Sequence, residues 1–491
     1  MRAVLVGPEI EENLSVRYLA AALEQAGHQA EVIPFNRTAD VGRVTRAVLR
    51  RQPPLVGLSL VAQRRYSDYQ RLVESLRAGG YRGHIVAGGH FASLRATEVL
   101  RDTPGLDTIL HHEGEVRLLR LIEWLEARGA GAPTFDGITW RAADRSLRHR
   151  APERVAPLDS LAPPLRKRPD TTLGHRRAPL VASRGCAGQC SFCSISAWHA
   201  QVKKARLRLR SAQAVAAEMI TLDRERDVRV FVFHDDDFLL PDPKKALARC
   251  EEILGTARRG IGRPFAFVLK CRPDDVEPEL FAYLGRMGLV RAYVGIETHA
   301  PTGLTTLNRR VTQEENERAL RVFDQLGLYA CFNLLIFDPD STVAAIEENL
   351  RFLRTQLHRP FDVARTELYA GAALEDRMRR EGRARGDYRG YDYSIADPRV
   401  ESMFQLFADV LWERHFGGGS MLHRSQDLGY RLSLCRRLHP EVVRPALAGE
   451  IQALIEEVNR DTVTYFERLL ARSLEGALDT PARDRFVHEM R

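Results

Sequence analysis

The sequence predicts an α/β protein in three parts: an N-terminal doubly wound parallel sheet, a central partial (β/α)6 barrel and an α-helical C-terminal segment. Three observations predict it. Short apolar runs alternate with helical patterns five times before residue 130 and six times after residue 178. A proline- and charge-rich stretch separates the two series. Beyond about residue 375 only helical periodicity remains.

The first series places strands at 2–6, 30–34, 55–60, 84–87 and 108–111, with helices at 15–26, 41–51, 67–78, 91–100 and 115–128. Nearly continuous apolar strands indicate a parallel sheet covered on both faces. Ligands of such sheets sit at the carboxyl ends of the strands. The loops there read Gly7-Pro8-Glu9-Ile10-Glu11-Glu12-Asn13-Leu14-Ser15, Gly57-Leu58-Ser59-Leu60-Val61, Gly88-Gly89-His90 and His112-Glu113-Gly114-Glu115. Small residues after three strands permit close backbone approach by a large ligand. A flavodoxin-like domain without cofactor is the competing reading. His90, His111 and His112 read as exposed turn residues. The stretch 131–177 reads as an inter-domain strap with no chemistry of its own, carrying a hairpin near 137–140 that packs on a neighbour.

The second series places strands at 179–183, 228–233, 265–270, 292–297, 330–337 and 363–369, with helices at 211–226, 243–258, 278–287, 314–326 and 342–357. Thr312 and Glu315 form a capping box, and Ser341 or Asp340 can cap the last of these helices. In barrels of this kind the chemistry sits at the carboxyl ends of the strands. The second strand ends in His234-Asp235-Asp236-Asp237-Phe238, the third in Lys270-Cys271-Arg272-Pro273 and the fourth in Gly295-Ile296-Glu297-Thr298. Adjacent carboxylates repel, so a triple Asp needs a reason. Binding an ammonium, a ribose or a metal is one; a helix cap by Asp237 is the other.

Arg184-Gly185-Cys186-Ala187-Gly188-Gln189-Cys190-Ser191-Phe192-Cys193 follows the first of these strands and holds three of the seven cysteines, spaced CxxxCxxC. Thiolates this close can converge on a soft metal centre. Three ligands leave a four-iron cluster one short, with one iron open to an exogenous ligand. Cys250, Cys271, Cys331 and Cys435 lie in apolar patterns and read as core. A zinc site completed by His199 competes, although no second CxxC knuckle exists.

The cysteine motif, with Phe192 before its third cysteine and Arg184-Gly185 before its first, resembles the radical SAM superfamily over about 178–375. The resemblance implies a [4Fe–4S] cluster on Cys186, Cys190 and Cys193. It implies S-adenosylmethionine (SAM) contacts from Phe192, Asp235, Asp236, Arg272 and Glu297. The N-terminal 1–130 resembles the cobalamin-binding domain that precedes many radical SAM barrels. By that resemblance Ser59, Val61, Gly88, Gly89, Glu113, Gly114 and Glu115 fall in the loops that contact the nucleotide tail and its phosphate. Asn13 and Leu14 stand where the methionine-synthase type has its His-containing DxHxxG loop, so no histidine lower ligand comes from there.

The composition is that of a globular protein, with 44% hydrophobic and 28% charged residues. No apolar run is long enough for a membrane span and no signal pattern opens the chain, so a cytoplasmic location is expected. The +8 charge is carried almost wholly by arginine. The basic runs at 203–210 and 166–168 lack interleaved aromatics, which argues against nucleic acid. The segment 376–491 is expected to cap the open side of the barrel and shape a substrate cavity, with Tyr369, Tyr391, Tyr393, His423 and Tyr430 as candidates to face it. The family implies a methyltransferase acting on an unactivated carbon or phosphorus centre of a small or peptide-derived biosynthetic substrate, through a 5′-deoxyadenosyl radical and methylcobalamin. A cobalamin-dependent cyclisation or rearrangement, and a non-catalytic corrinoid-binding protein, are the alternatives. A flavodoxin- or ferredoxin-type electron donor and a monomer are expected.

Overall fold

The computed structural model describes residues 1–127, 131–203, 206–417, 419–476 and 480–490. Arg128, expected at a helix end, Lys204 and Ala205 of the basic run, and the expected boundary at 130 lie outside them.

The N-terminal sheet contains β1 (Arg2–Gly7), β2 (Gln29–Pro34), β3 (Leu55–Ser59), β4 (His84–Gly88) and β5 (Thr108–Leu110), in the order β2-β1-β3-β4-β5 and all parallel. Side chains alternate between faces. Val4 and Val6 join one core with Val44, Val48, Leu72 and Leu76, whereas Ala3 and Leu5 join another with Val16, Leu23, Leu118 and Leu121. Period-2 apolar strands with helices on both sides are what a parallel sheet requires. The order reverses at β1, between β2 and β3, which opens a crevice at the carboxyl ends. The hairpin expected to pack on a neighbour instead extends this sheet. Its strands β6 (Ile138–Arg141) and β7 (Leu147–Arg150) add antiparallel to β5, with Ile109 opposite Thr139. They cover the edge that β5 would otherwise expose.

The central sheet starts with β8 (Asp170–Thr172) and β9 (His175–Leu180). A small ribbon of β10 (Ser183–Gly185) and β11 (Leu207–Leu209) follows, then β12 (Val228–Phe233), β13 (Ala266–Cys271), β14 (Leu289–Glu297), β15 (Ala330–Phe337) and β16 (Phe361–Arg365). The order is β16-β15-β14-β13-β12-β9-β8, with six parallel strands and β8 antiparallel at one edge. The sheet curls into a half-barrel and stays open. Its first strand begins earlier than expected, because Ala178 and Leu180 pair with Phe231 and Phe233. Residues 183–185 leave the sheet to form the ribbon beside the cysteines. The capping box of Thr312 and Glu315 is present, whereas Thr342 rather than Ser341 or Asp340 caps the helix Val343–Thr355.

Outward residues Phe267, Leu269 and Cys271 of β13 join the main core under the helices. On the opposite face Ala266 and Val268 pack with Val230, Val290, Tyr430 and Leu434. Helix Met421–Leu438 therefore plugs the half-barrel at the amino ends of its strands, and the Arg437 guanidinium donates to the Phe265 carbonyl at 3.0 Å. Helix Pro445–Leu474 packs outside, where Phe466 lies 5.3 Å from Phe407 and 6.3 Å from Phe337. Tyr393 is a packing residue whose hydroxyl donates to the carbonyls of Phe337 and Thr366, both at 2.8 Å. Among the described residues no helix is long and apolar enough to cross a membrane.

Candidate active site between two strand-end faces

The cysteine loop is held by its neighbours on both sides. Gly185 has φ +91°, and a Cβ there would overlap the Arg206 carbonyl across the ribbon, so only glycine admits the close pairing that delivers Cys186. After Cys193 the chain turns directly into helix Ser194–Ala200. The Ser191 amide donates to the Leu307 carbonyl at 2.9 Å and its hydroxyl to the Thr306 carbonyl at 2.7 Å. These bonds tie the loop to the segment after β14.

All three thiols are half-buried and none is in a disulfide. Each sulfur faces hydrogen-bond donors. Cys186 accepts from the Gly188 amide at 3.2 Å, and Cys193 from the amides of Ile195 and Ser196. Cys190 accepts from Arg309 Nη1 at 2.8 Å and from Arg272 Nη1 at 3.7 Å. Burial, together with Asp237 near Cys186 and Cys190 near Cys193, pushes these thiols up to about 12 and about 11 in the metal-free chain. Amide and guanidinium donors around three thiols suit ligation by thiolates carrying a cluster's negative charge. Among the described residues no three His, Cys, Asp or Glu side chains close on a single-ion position. His199, the fourth ligand that the zinc alternative would need, lines the cavity described below, with its Nε2 4.0 Å from an Asp236 oxygen.

The acidic strand end divides its labour. Asp235 is spent on the chain itself, accepting from the Ala182 amide at 3.1 Å and the Ser183 hydroxyl at 2.6 Å. It is 1% exposed, and burial raises its carboxyl to about 6. Its expected contact with SAM is not available while those bonds stand. Asp236 accepts from the Gly185 amide at 3.1 Å and reaches the cavity. Asp237 does not cap a helix, because the helix begins at Pro243 under an Asp242 cap; it lies 3.8 Å from the Cys186 sulfur. Arg272 is pinned by Asp274 and the Arg309 carbonyl, with one nitrogen left toward Cys190.

Glu297 ends β14 at φ +66°, a conformation costing a non-glycine residue about 1–2 kcal/mol. Its carboxylate accepts from Asn333 Nδ2 at 2.8 Å and faces Arg309; burial still raises its pKa. Phe192 packs against the barrel core.

Across the domain junction lies a cavity of about 260 Å³. It reaches into the N-terminal sheet past Leu5, Gly57 and Val86, and its mouth is closed by Arg184, Trp198, His199 and Asp236 of the barrel. Leu14, Ser59, Val61, Gly88, Gly89, Glu113, Gly114 and Glu115 all line it; Asn13 does not. Instead the Asn13 side chain caps helix Leu14–Gln25 and donates to the Pro8 carbonyl at 2.9 Å. Gly89 has φ +103°, and a Cβ there would lie 2.9 Å from the Leu60 carbonyl oxygen. A slot of glycines and aliphatic side chains opening onto polar strand ends has the chemistry that would take part of a corrinoid.

Glu113 and Glu115 are buried beneath this mouth. Arg184 pairs with Glu115 at 2.7 Å and with Glu113 at 3.2 Å, Arg208 also pairs with Glu113, and the Arg184 guanidinium lies 5.1 Å from the Tyr18 ring. Burial opposes the charge of Glu115, but Arg184 outweighs it and holds the carboxyl below its ordinary value. Two acids expected to face the cofactor's phosphate thus fasten the two domains together. His111 and His112 are also unlike their expected exposed turns, being 3% and 4% exposed.

Sequence reasoning missed Arg309, Arg208, Trp198 and the place of His112. Only Arg309 carried a local signal, in the polar Asn308-Arg309-Arg310 turn. The others depend on contacts spanning the domain junction.

Two family models match: the B12 binding domain over residues 3–122 and the radical SAM superfamily over residues 180–353. The anaerobic magnesium-protoporphyrin IX monomethyl ester cyclase of Cereibacter sphaeroides is 25% identical over 348 residues, 68% of this chain and 55% of the cyclase. The hopanoid C-3 methylase of Methylococcus capsulatus is 27% identical over 336 residues, 67% of this chain and 61% of the methylase. The matches thus span less than two thirds of either relative's length. The solved structure of the cobalamin-dependent S-adenosylmethionine radical enzyme OxsB with aqua-cobalamin bound covers 100% of this chain and 84% of its own, at 17% identity and a TM-score of 0.71. That likeness is one of fold. The chain thus joins a B12-binding domain to a radical SAM domain, the pairing found in cobalamin-dependent radical SAM enzymes, and those domains imply [4Fe–4S], SAM and cobalamin as its cofactors.

Proposed function

We propose that the protein is a methyltransferase that transfers a methyl group to an unactivated carbon or phosphorus centre of a small biosynthetic substrate. One observation carries the reading: the cavity of the N-terminal domain is closed by residues flanking the cluster loop, Arg184, Trp198 and Asp236. A corrinoid in that cavity and SAM at the barrel mouth would then share one chamber. The cofactors supply the hard chemistry, reductive cleavage of one SAM to a hydrogen-abstracting radical and methyl delivery from cobalt. The chain's part is positional. Cys186, Cys190 and Cys193 hold the cluster, and Arg309 and Arg272 steady its charge at Cys190. Asp236 and Glu297 stand at the barrel mouth as contacts for SAM, and the walls between the domains exclude water. The enzyme works in the cytoplasm as a monomer with a flavodoxin- or ferredoxin-type electron donor.

Similarity to a cyclase supports a second reading, rearrangement without net methyl transfer. A half-reaction separates them without knowledge of the substrate. The reduced, reconstituted holoenzyme is given SAM labelled with deuterium in its methyl group. Methyl transfer predicts S-adenosylhomocysteine and label on the corrinoid. Formation of 5′-deoxyadenosine with neither of these would overturn the methyltransferase reading.

A further inference from the structure

Lys270 stands on the inner wall of the half-barrel without a partner. Leu269 and Cys271 of β13 face the helices, whereas Ala266 and Val268 face the interior, so strand alternation turns Lys270 inward with the latter pair. It is exposed there, in register with Tyr293 of β14. Among the described residues its ammonium makes no hydrogen bond or ion pair. Other charges of this wall are matched within the chain. Arg177 pairs with Glu11 at 3.3 Å, Glu297 accepts from Asn333 at 2.8 Å, Asp362 accepts from Gln426 at 2.7 Å, and Arg291 lies over the Tyr430 ring at 4.8 Å. Only six of the 73 lysine and arginine residues are lysine, and among the described ones Lys270 alone lies in a strand.

Depth along the strand decides what Lys270 can meet. Two residues on, Arg272 reaches the cluster ligand Cys190; two residues back, Val268 packs on the plug with Tyr430. At ~3.3 Å per residue, Lys270 sits ~7 Å below Arg272, in the layer between the cofactor mouth and the apolar floor. Beside it on β12 is His234, which also lines the cavity at the domain junction. Burial lowers the His234 pKa; Glu11 opposes this, and Lys270 and Arg177 add to it. The wall thus offers an ammonium next to an uncharged imidazole. Lysine is a compact point charge, and one left unpaired above apolar side chains attracts an anion. The imidazole can donate to the same group. We propose that Lys270 is the anion-recognising residue of the substrate site, so that the substrate carries a phosphoryl or carboxylate group at the end pointing away from the cofactors. The inference rests on the shared chamber proposed above, and concerns what the substrate carries rather than what is transferred to it.

The scarcity of lysine makes the test direct. Reductive methylation with carbon-13 formaldehyde keeps each lysine charged and gives each a dimethyl NMR signal, that of Lys270 being assigned by its loss in K270R. The labelled full chain, with its cluster reconstituted and SAM and hydroxocobalamin bound, is titrated with inorganic phosphate, methylphosphonate and acetate at fixed ionic strength. Exposed Lys244 on helix Pro243–Ile261 serves as the solvated reference. The expected result is a saturable shift of the Lys270 signal at concentrations about tenfold below those that move Lys244. Saturation by the two phosphorus anions alone assigns a phosphoryl group, and saturation by acetate a carboxylate. A Lys270 signal that moves only as Lys244 does would show a solvated lysine. One displaced by SAM or hydroxocobalamin and then insensitive to the anions would show a cofactor contact. Either outcome overturns the anion site. The readout is independent of methyl transfer, so this proposal and the methyltransferase reading can fail separately.

Discussion

Arg309 shows how much one buried side chain can set. It is 4% exposed, one nitrogen lies 2.8 Å from the Cys190 sulfur and another bonds the Gly295 carbonyl. Positive charge and N–H donors at a cluster ligand stabilise the reduced, more negative state, so they raise the potential. Replacing Arg309 by Gln should make the [4Fe–4S] potential more negative by on the order of 60 mV, the equivalent of one charge-assisted hydrogen bond of ~1.5 kcal/mol. Redox titration followed by EPR measures it. An unchanged potential at full iron occupancy would show that the guanidinium holds the β14 turn and not the cluster. Glu297 is the second such residue. Its left-handed backbone is maintained by Asn333 and Arg309, and strain of this kind persists only where the surroundings over-determine it.

At the scale of elements, Asp235 joins the end of β12 to the turn between β9 and β10. The turn carries the chain from the sheet into the ribbon and on to Cys186. Burial raises this carboxyl to about 6, from an ordinary value near 4. The folded state therefore holds the proton more tightly than the unfolded chain. The associated stability is fully present below pH 4 and is lost as pH rises through 6, by an amount on the order of 3 kcal/mol. Asn cannot ionise and keeps an acceptor for the Ala182 amide. The thermal midpoint of D235N, measured on the metal-free protein, should gain on that of the parent between pH 5 and pH 8. A constant difference across that range would mean that Asp235 is already charged at pH 5. The glycines act at the same scale: Gly185 and Gly89 hold positive φ where a Cβ would strike a carbonyl, one beside the cluster and one in the cavity.

Across the whole molecule, the N-terminal domain is stitched to the rest of the chain by polar contacts, some direct and one routed through Arg166 of the connecting stretch. Arg184 grips Glu113 and Glu115, Arg166 joins Glu12 to Glu218, Arg95 meets Glu375, and Tyr388 donates to Asp102 at 2.7 Å. Gln63 bonds the backbone of both Leu368 and Ala370 on the far side of the chamber. Removing Arg184 leaves two buried carboxylates, with Arg208 still beside Glu113. Breaking a buried pair costs ~3–5 kcal/mol. R184A should therefore lower the denaturation midpoint and split the calorimetric transition into two as the domains uncouple. A single, unshifted transition would show that the remaining contacts suffice. The separate R184A/E115Q double variant should recover part of the loss, since it deletes one orphaned charge.

Local chemistry made most of the architecture legible without coordinates. Period-2 apolar strands divided by helical runs announce a parallel sheet and a half-barrel, because backbone hydrogen bonding and side-chain alternation are short-range constraints. The cysteine loop was equally legible, since its three cysteines lie within eight residues. Contacts between distant parts of the chain were not. Nothing near Glu113 in sequence says that Arg184 neutralises it, nor does the segment 421–438 announce that it plugs the amino ends of the strands. Trp198 looks like an ordinary helix residue until the domain junction presses it against His112. Sequence alone determined most of the elements, the three-cysteine loop and the pairing of two cofactor domains. Tertiary structure decided which charged groups face the cysteines or line the cavity and which bind the domains together, because that choice depends on burial and on partners more than sixty residues away.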